Sequence, residues 1–287
     1  MKRRLVAGML LPWLLNAAEP ADLRSVPADL ETPPMIDAAP AAGKRVRQTT
    51  PGWEGTQVHH ALYLPRDWKP GGRLPVIVEY AGNGNYQNPF GDVSRGVVEG
   101  SHLGYGLSGG TNFIWVCLPF VKVEGAGKSN AITWWGDLAE TKRYCTNTVG
   151  LVCERYGGDP RRVVLAGFSR GSIAANFIGL HDDAIADTWR AFFCYSHYDG
   201  ERHWGYPGAD RTAVLARLQR LKGRPQFICH EQDVRFIERY IAATGVDGAF
   251  TFAAVPFRNH DDRWILRDTP TRRAARQWLV KAAAANP

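Results

Sequence analysis

Residues 163–174 read VVLAGFSRGSIA: an apolar run, a serine with glycine two positions away on each side, and the start of a helical pattern. Gly167-Phe168-Ser169-Arg170-Gly171 therefore predicts a sharp strand-to-helix turn. The two glycines let strand and helix approach closely, while the serine takes a strained backbone conformation and holds its hydroxyl above the sheet. The five-residue pattern is common by itself. The buried strand before it and the helix after it supply the context that makes Ser169 a candidate nucleophile.

The same kind of strand recurs on both sides of this turn. RLPVIVEYAG (73–82), NFIWVCLPF (112–120), WRAFFCYSH (189–197), RPQFICHEQD (224–233) and AFTFAAVPF (249–257) are short, nearly continuous apolar runs, and GTQVHHALYLPRDW (55–68) alternates like a first strand. Between them lie helical spacings at 137–156, 211–222, 234–245 and 271–284, the first ended by Gly157-Gly158-Asp159-Pro160. Strands alternating with helices predict an α/β fold with a mainly parallel central sheet covered by helices on both faces.

Three regions are expected. Lys2, Arg3 and Arg4 precede the apolar run Leu5–Leu15 and the small residues Ala17 and Ala18, so 1–18 reads as a signal peptide and the protein as exported to the periplasm or beyond the cell. No stable membrane association is expected once such a leader is cleaved. Residues 19–50, rich in Pro, Ala and Asp, read as a flexible or wrapping N-terminal arm, and 51–287 as one catalytic domain. Without the three basic residues of the leader the formal charge falls from +7 to +4. The remaining cations are interspersed with acids, which excludes nucleic acid as a primary partner. The five cysteines have no metal-ligand spacing; Cys117, Cys194 and Cys229 lie in or beside apolar runs, and Cys145 and Cys153 are too far apart on one helix to bridge each other.

A serine hydroxyl needs a general base, and the base needs an acid to orient it. In the chain order Ser…acid…His, each beyond a later strand, Asp233 is the expected acid with Glu231 as the alternative, and His260 is the base. The developing oxyanion calls for two backbone amides, assigned to Arg170 and, from the glycine-rich loop AGNGN (81–85), to Asn83.

These motifs resemble those of α/β-hydrolases over the span from about Pro75 to the C-terminus. The nearest style is that of secreted esterases and polyhydroxybutyrate depolymerase-like hydrolases, although Ala81 stands where their His-Gly-x-Gly loop has histidine. Ser169-Arg170 also resembles glucuronoyl esterases, in which an arginine after the nucleophile assists the oxyanion. The resemblance implies a serine hydrolase of carboxylic esters, with a small-molecule or polysaccharide-linked ester as substrate and no cofactor. A peptidase or lipase on the same fold is the alternative, and a catalytically inactive glycan-binding homologue is the alternative of another class.

Trp134, Trp135, His197 and Trp204 fall in loops after strands and are candidate substrate contacts, since flat rings stack on sugars and aryl groups. The His-Asp-Asp triplets at His181 and His260 read as loop and helix-end residues, and no metal site is expected.

Overall fold

A computed structural model of the chain describes residues 21–284. The strands are β1 (Met35–Ile36), β2 (Arg45–Gln48), β3 (His60–Tyr63), β4 (Leu74–Tyr80), β5 (Tyr86–Gln87), β6 (Val93–Ser94), β7 (Ile114–Leu118), β8 (Phe120–Glu124), β9 (Gly127–Ala131), β10 (Gly158–Phe168), β11 (Ala191–Tyr195), β12 (Gly223–Glu231) and β13 (Gly248–Val255). The helices are α1 (Leu103–Ser108), α2 (Leu138–Tyr156), α3 (Arg170–Phe177), α4 (Asp183–Ala186), α5 (Arg211–Leu218), α6 (Arg235–Ala242) and α7 (Pro270–Ala282).

Nine strands form one sheet in the order β1-β2-β3-β7-β4-β10-β11-β12-β13. From β7 through β13 every neighbour is parallel, whereas β3 runs antiparallel to both β2 and β7. Its central strands are apolar at consecutive positions because both faces are covered. Val76, Val78 and Leu165 enter a core with Tyr144 and Val149 of α2 and Ile173 of α3. Ile77, Val164 and Ala166 enter the opposite core, with Leu103 of α1 and Leu279 of α7. Asp137 caps α2 by accepting from the Glu140 N–H, and Gly157 ends it at φ 75°, a left-handed cap that suits glycine.

Of the two forms expected for the N-terminal arm, flexible or wrapping, the described residues take the wrapping one. Residues 21–50 pack on the domain instead of trailing from it: β2 pairs with β3, Leu23 and Val46 are buried, and the Arg272 guanidinium grips Asp29 at 2.6 Å through two nitrogens. The Asp29–Arg272 pair joins residues 243 apart in sequence, and local composition carried no sign of it. The leader read at 1–18 lies outside the described residues. Among those described, no helix is long and apolar enough to cross a membrane.

Candidate active site

The parallel strands deliver their C-terminal ends to one edge of the sheet, where open α/β sheets bind ligands. Ser169 follows β10 directly, with φ 54° and ψ −115°, and its backbone N–H donates to the Tyr195 carbonyl at 2.9 Å. Non-glycine residues rarely occupy this region, and the strain is tolerated because the surroundings over-determine it. Both glycines of the turn are required for close approach. A Cβ on Gly167 would lie 2.0 Å from the Gly171 carbonyl oxygen, and one on Gly171 would lie 1.9 Å from that of Tyr80.

His260, in the loop after β13, places Nε2 2.9 Å from Ser169 Oγ and Nδ1 2.9 Å from Glu231 Oε1. Glu231 is the last residue of β12 and its side chain is only 8% exposed. Burial pushes its carboxyl pKa up, but the hydrogen bond and charge of His260 outweigh that and hold it at about 2. An ionised Glu231 favours the tautomer with the proton on Nδ1, leaving Nε2 to accept from the Ser169 hydroxyl.

Asp233, the expected acid, does not reach His260. The strand continues past Cys229 to Glu231, which pairs with Val255 of β13, and Gln232 then turns the chain at φ 61°. Asp233 is left at the surface, accepting from the Arg235 backbone N–H at 2.9 Å and pairing with that guanidinium, which lowers its pKa to about 2. The carboxylate beside the histidine is that of Glu231, the sequence alternative.

The loop after β4 lies against the turn: a Cβ on Gly82 would meet the Phe168 ring at 2.8 Å. The backbone N–H groups of Asn83 and Arg170 donate to no protein acceptor among the described residues. For Arg170 this follows from its place at the start of α3, where the first amides have no intrahelical partner. The Asn83 side-chain oxygen accepts from the Trp134 N–H at 2.8 Å.

The Arg170 side chain serves another purpose than the resemblance implied. It is buried, donates to the Trp134 carbonyl at 2.7 Å, and stacks on Phe120 at 4.1 Å; burial lowers its pKa to about 9. The guanidinium ties loops together, which leaves only the backbone N–H for an oxyanion and removes the sequence hint of a sugar ester.

The aromatic candidates separate. Trp134 is 40% exposed, whereas Trp135 is wedged between Phe177 and Tyr206, with ring centroids at 4.7 and 5.1 Å, and belongs to the core. His197 lies 5.2 Å from the His260 ring and lines a cavity of about 570 Å³ with Tyr86, Phe90 and Arg202. Burial, then the neighbouring His260, lowers its pKa to about 3, so it is neutral. Trp204 packs on His197 at 4.7 Å beneath Arg202. A second cavity, about 540 Å³, lies on the Gly82 and Phe168 side of His260.

Two site residues escaped the sequence reading. Ser196, at the end of β11 with φ 84°, brings its Oγ 2.8 Å from His260 Nδ1, so that nitrogen is flanked by a hydroxyl and a carboxylate. Its position one residue past a parallel strand was the available signal. Asp92, buried in a loop without periodicity, accepts from the His260 backbone N–H at 2.9 Å and gave none. In the His-Asp-Asp triplets, Asp182 and Asp261 cap the helical turns that follow them, and Asp262 accepts from the His102 N–H. All five cysteines are unpaired.

No protein-family model matches the sequence, and no curated protein matches it either. Solved structures do. An S-formylglutathione hydrolase from Agrobacterium tumefaciens is 15% identical, with 86% of this chain and 98% of that one covered at a TM-score of 0.56. Thermogutta terrifontis esterase 2, phosphorylated by paraoxon, is 16% identical over 83% of this chain and 94% of its own, at 0.54. A structure from work on two fungal esterases of Rhizomucor miehei is 14% identical over 84% of each chain, at 0.52. The mainly parallel sheet with helices on both faces, together with the likeness to these structures, gives this chain the α/β-hydrolase fold.

Proposed function

We propose that the protein is a serine hydrolase that cleaves carboxylic esters, with Ser169 as nucleophile, His260 as general base and acid, and Glu231 as the acid that orients it. The observation that carries this reading is the unbroken chain from Ser169 Oγ through His260 to Glu231 Oε1, two contacts of 2.9 Å on the ends of β10, β12 and the loop after β13. The esterase names among the structural neighbours support it.

In the proposed cycle Ser169 Oγ forms a bond to the ester carbonyl carbon while His260 Nε2 takes the hydroxyl proton. The backbone N–H groups of Asn83 and Arg170 receive the oxyanion, at the moment when negative charge develops. Collapse of the tetrahedral intermediate breaks the carbonyl–alkoxy bond, and His260 returns the proton to the leaving alcohol. Water, deprotonated by His260, then attacks the acyl-enzyme; the bond to Ser169 Oγ breaks, His260 returns the proton to that oxygen, and the carboxylic acid leaves. Glu231 stays ionised throughout and stabilises the imidazolium.

A carbohydrate-linked alcohol is the finer proposal, now supported by the exposed ring of Trp134 and no longer by Arg170. We also read the protein as exported, on the residues of the leader alone. Turnover of short acyl esters, acetylated and feruloylated sugars, polyesters and peptides by wild type and Ser169→Ala tests the activity. Ester hydrolysis abolished by the substitution is expected, and hydrolysis unchanged by it would overturn the assignment.

A further inference from the structure

The loop that carries His260 is held from its backbone side as well as from its ring. Asp92 is 3% exposed, and both of its carboxylate oxygens are engaged. Oδ1 accepts from Asn259 Nδ2 at 2.7 Å; Oδ2 accepts from the His260 backbone N–H at 2.9 Å and from Asn88 Nδ2 at 2.7 Å. Three donors converge on two acceptors, a pattern that a carboxylate satisfies and an amide, which must present its own NH2 group, does not.

Asn259 continues the network to the other end of the chain. Its side-chain oxygen accepts from the Leu23 N–H at 2.6 Å. Beside it the Arg258 N–H donates to the Ala21 carbonyl at 3.1 Å, and Arg267 Nε donates to the carbonyls of Leu23 and Val26 at 2.8 and 2.7 Å. Leu23 is buried in the same core as Phe257 and Trp264, which bracket the loop in sequence. Residues 21–26 therefore form a strap across the segment that carries the base.

We propose that Asp92 is a positioning residue for His260, fixing the base by its backbone amide and, through Asn259, coupling it to the N-terminal strap. This rests on the triad reading. A base must sit within hydrogen-bond reach of the nucleophile, and a displacement of about 1 Å costs roughly 100-fold in rate. Asp92 touches neither substrate nor reacting atoms; it acts through where it holds His260.

The test is a double-mutant cycle on ester hydrolysis, with the folded fraction of each variant measured by circular dichroism. Asp92→Ala is expected to lower kcat about 100-fold with KM changed by less than about twofold. In the His260→Ala background, where the base is already gone, the same substitution should change the residual rate by less than about twofold. Asp92→Asn, which keeps one acceptor oxygen, should lose about tenfold. It is read in the same two backgrounds should Asp92→Ala not fold. An equal loss with and without His260, or no loss in either, overturns the positioning role. Ser169→Ala runs alongside: unchanged hydrolysis by that variant defeats the triad reading itself, whereas its inactivity with an additive cycle defeats only the role of Asp92.

Discussion

Replacing Glu231 by Gln, and separately Asp233 by Asn, distinguishes the two carboxylates that follow the core of β12. In the proposed cycle His260 takes the Ser169 proton, and its positive charge develops beside Glu231 Oε1, 2.9 Å from Nδ1. Two unit charges at that distance in an effective dielectric of about 20 attract by about 6 kcal/mol. Gln retains a neutral hydrogen bond worth about 1 kcal/mol and can also stabilise the wrong tautomer. The net loss is then about 5 kcal/mol, or roughly three to four orders of magnitude in kcat. Asp233 is exposed and paired with Arg235 two residues away, so its neutralisation should change kcat by less than about threefold. The assay is steady-state hydrolysis of a p-nitrophenyl ester by both variants, with kcat and KM separated. A thousandfold loss in Asp233→Asn, with Glu231→Gln within about tenfold of wild type, would refute the assignment of the acid.

Gly171→Ala should lower the melting temperature by about 5 °C or more, because its Cβ would overlap the Tyr80 carbonyl, whereas Gly150→Ala, with open space around it within α2, should raise stability by up to about 1 kcal/mol. Glu79 is fully buried, and burial raises its pKa to about 7 despite its bonds to the Leu103 and Gly104 amides. Asp262, buried beside it, is raised by the same burial and by the charge of Glu79; since the folded pKa exceeds the unfolded one, stability should fall as pH rises from about 4.5 through about 7, and thermal melts of Glu79→Gln should show a shallower fall. Glu231 has the opposite sign: its folded pKa is depressed to about 2, so its contribution is full above about pH 4.5 and is lost as pH falls through 2. The stability gap between wild type and Glu231→Gln should therefore close in acid. Trp134→Ala should raise KM for aryl or sugar-linked esters several-fold with kcat for a short acyl ester unchanged, read from steady-state kinetics.

The central sheet was legible because buried parallel strands leave continuous apolar runs, and the serine turn because its glycines answer to steric limits that any such turn shares. His260 was legible through chain order. The carboxylate beside His260 stands two residues before the expected one because β12 extends beyond its apolar run: His230 and Glu231 are polar, yet still pair with Ala254 and Val255. Apolar composition marks where a strand is buried on both faces and not where its hydrogen bonding ends. A wrapping arm is among the readings of the sequence, but the particular contacts of its first residues were not legible, for a different reason. Its contacts include hydrogen bonds from Leu23 to Asn259 and from Arg258 to Ala21 and Asp22, partners more than 230 residues away that impose no period on the sequence. Arg170 shows the reverse error, since adjacency to the nucleophile suggested a catalytic guanidinium while the side chain runs into the packing of the 96, 131 and 134 loops.

The most direct measurement is the mass of the adduct formed when the folded protein is treated with paraoxon, the reagent that phosphorylates the structurally similar Thermogutta terrifontis esterase 2. An activated serine at this turn predicts one diethyl phosphoryl group, mapped by peptide mass spectrometry to Ser169 and absent from Ser169→Ala. A folded wild-type protein that takes up no adduct, or an adduct on another residue that survives in Ser169→Ala, would contradict it.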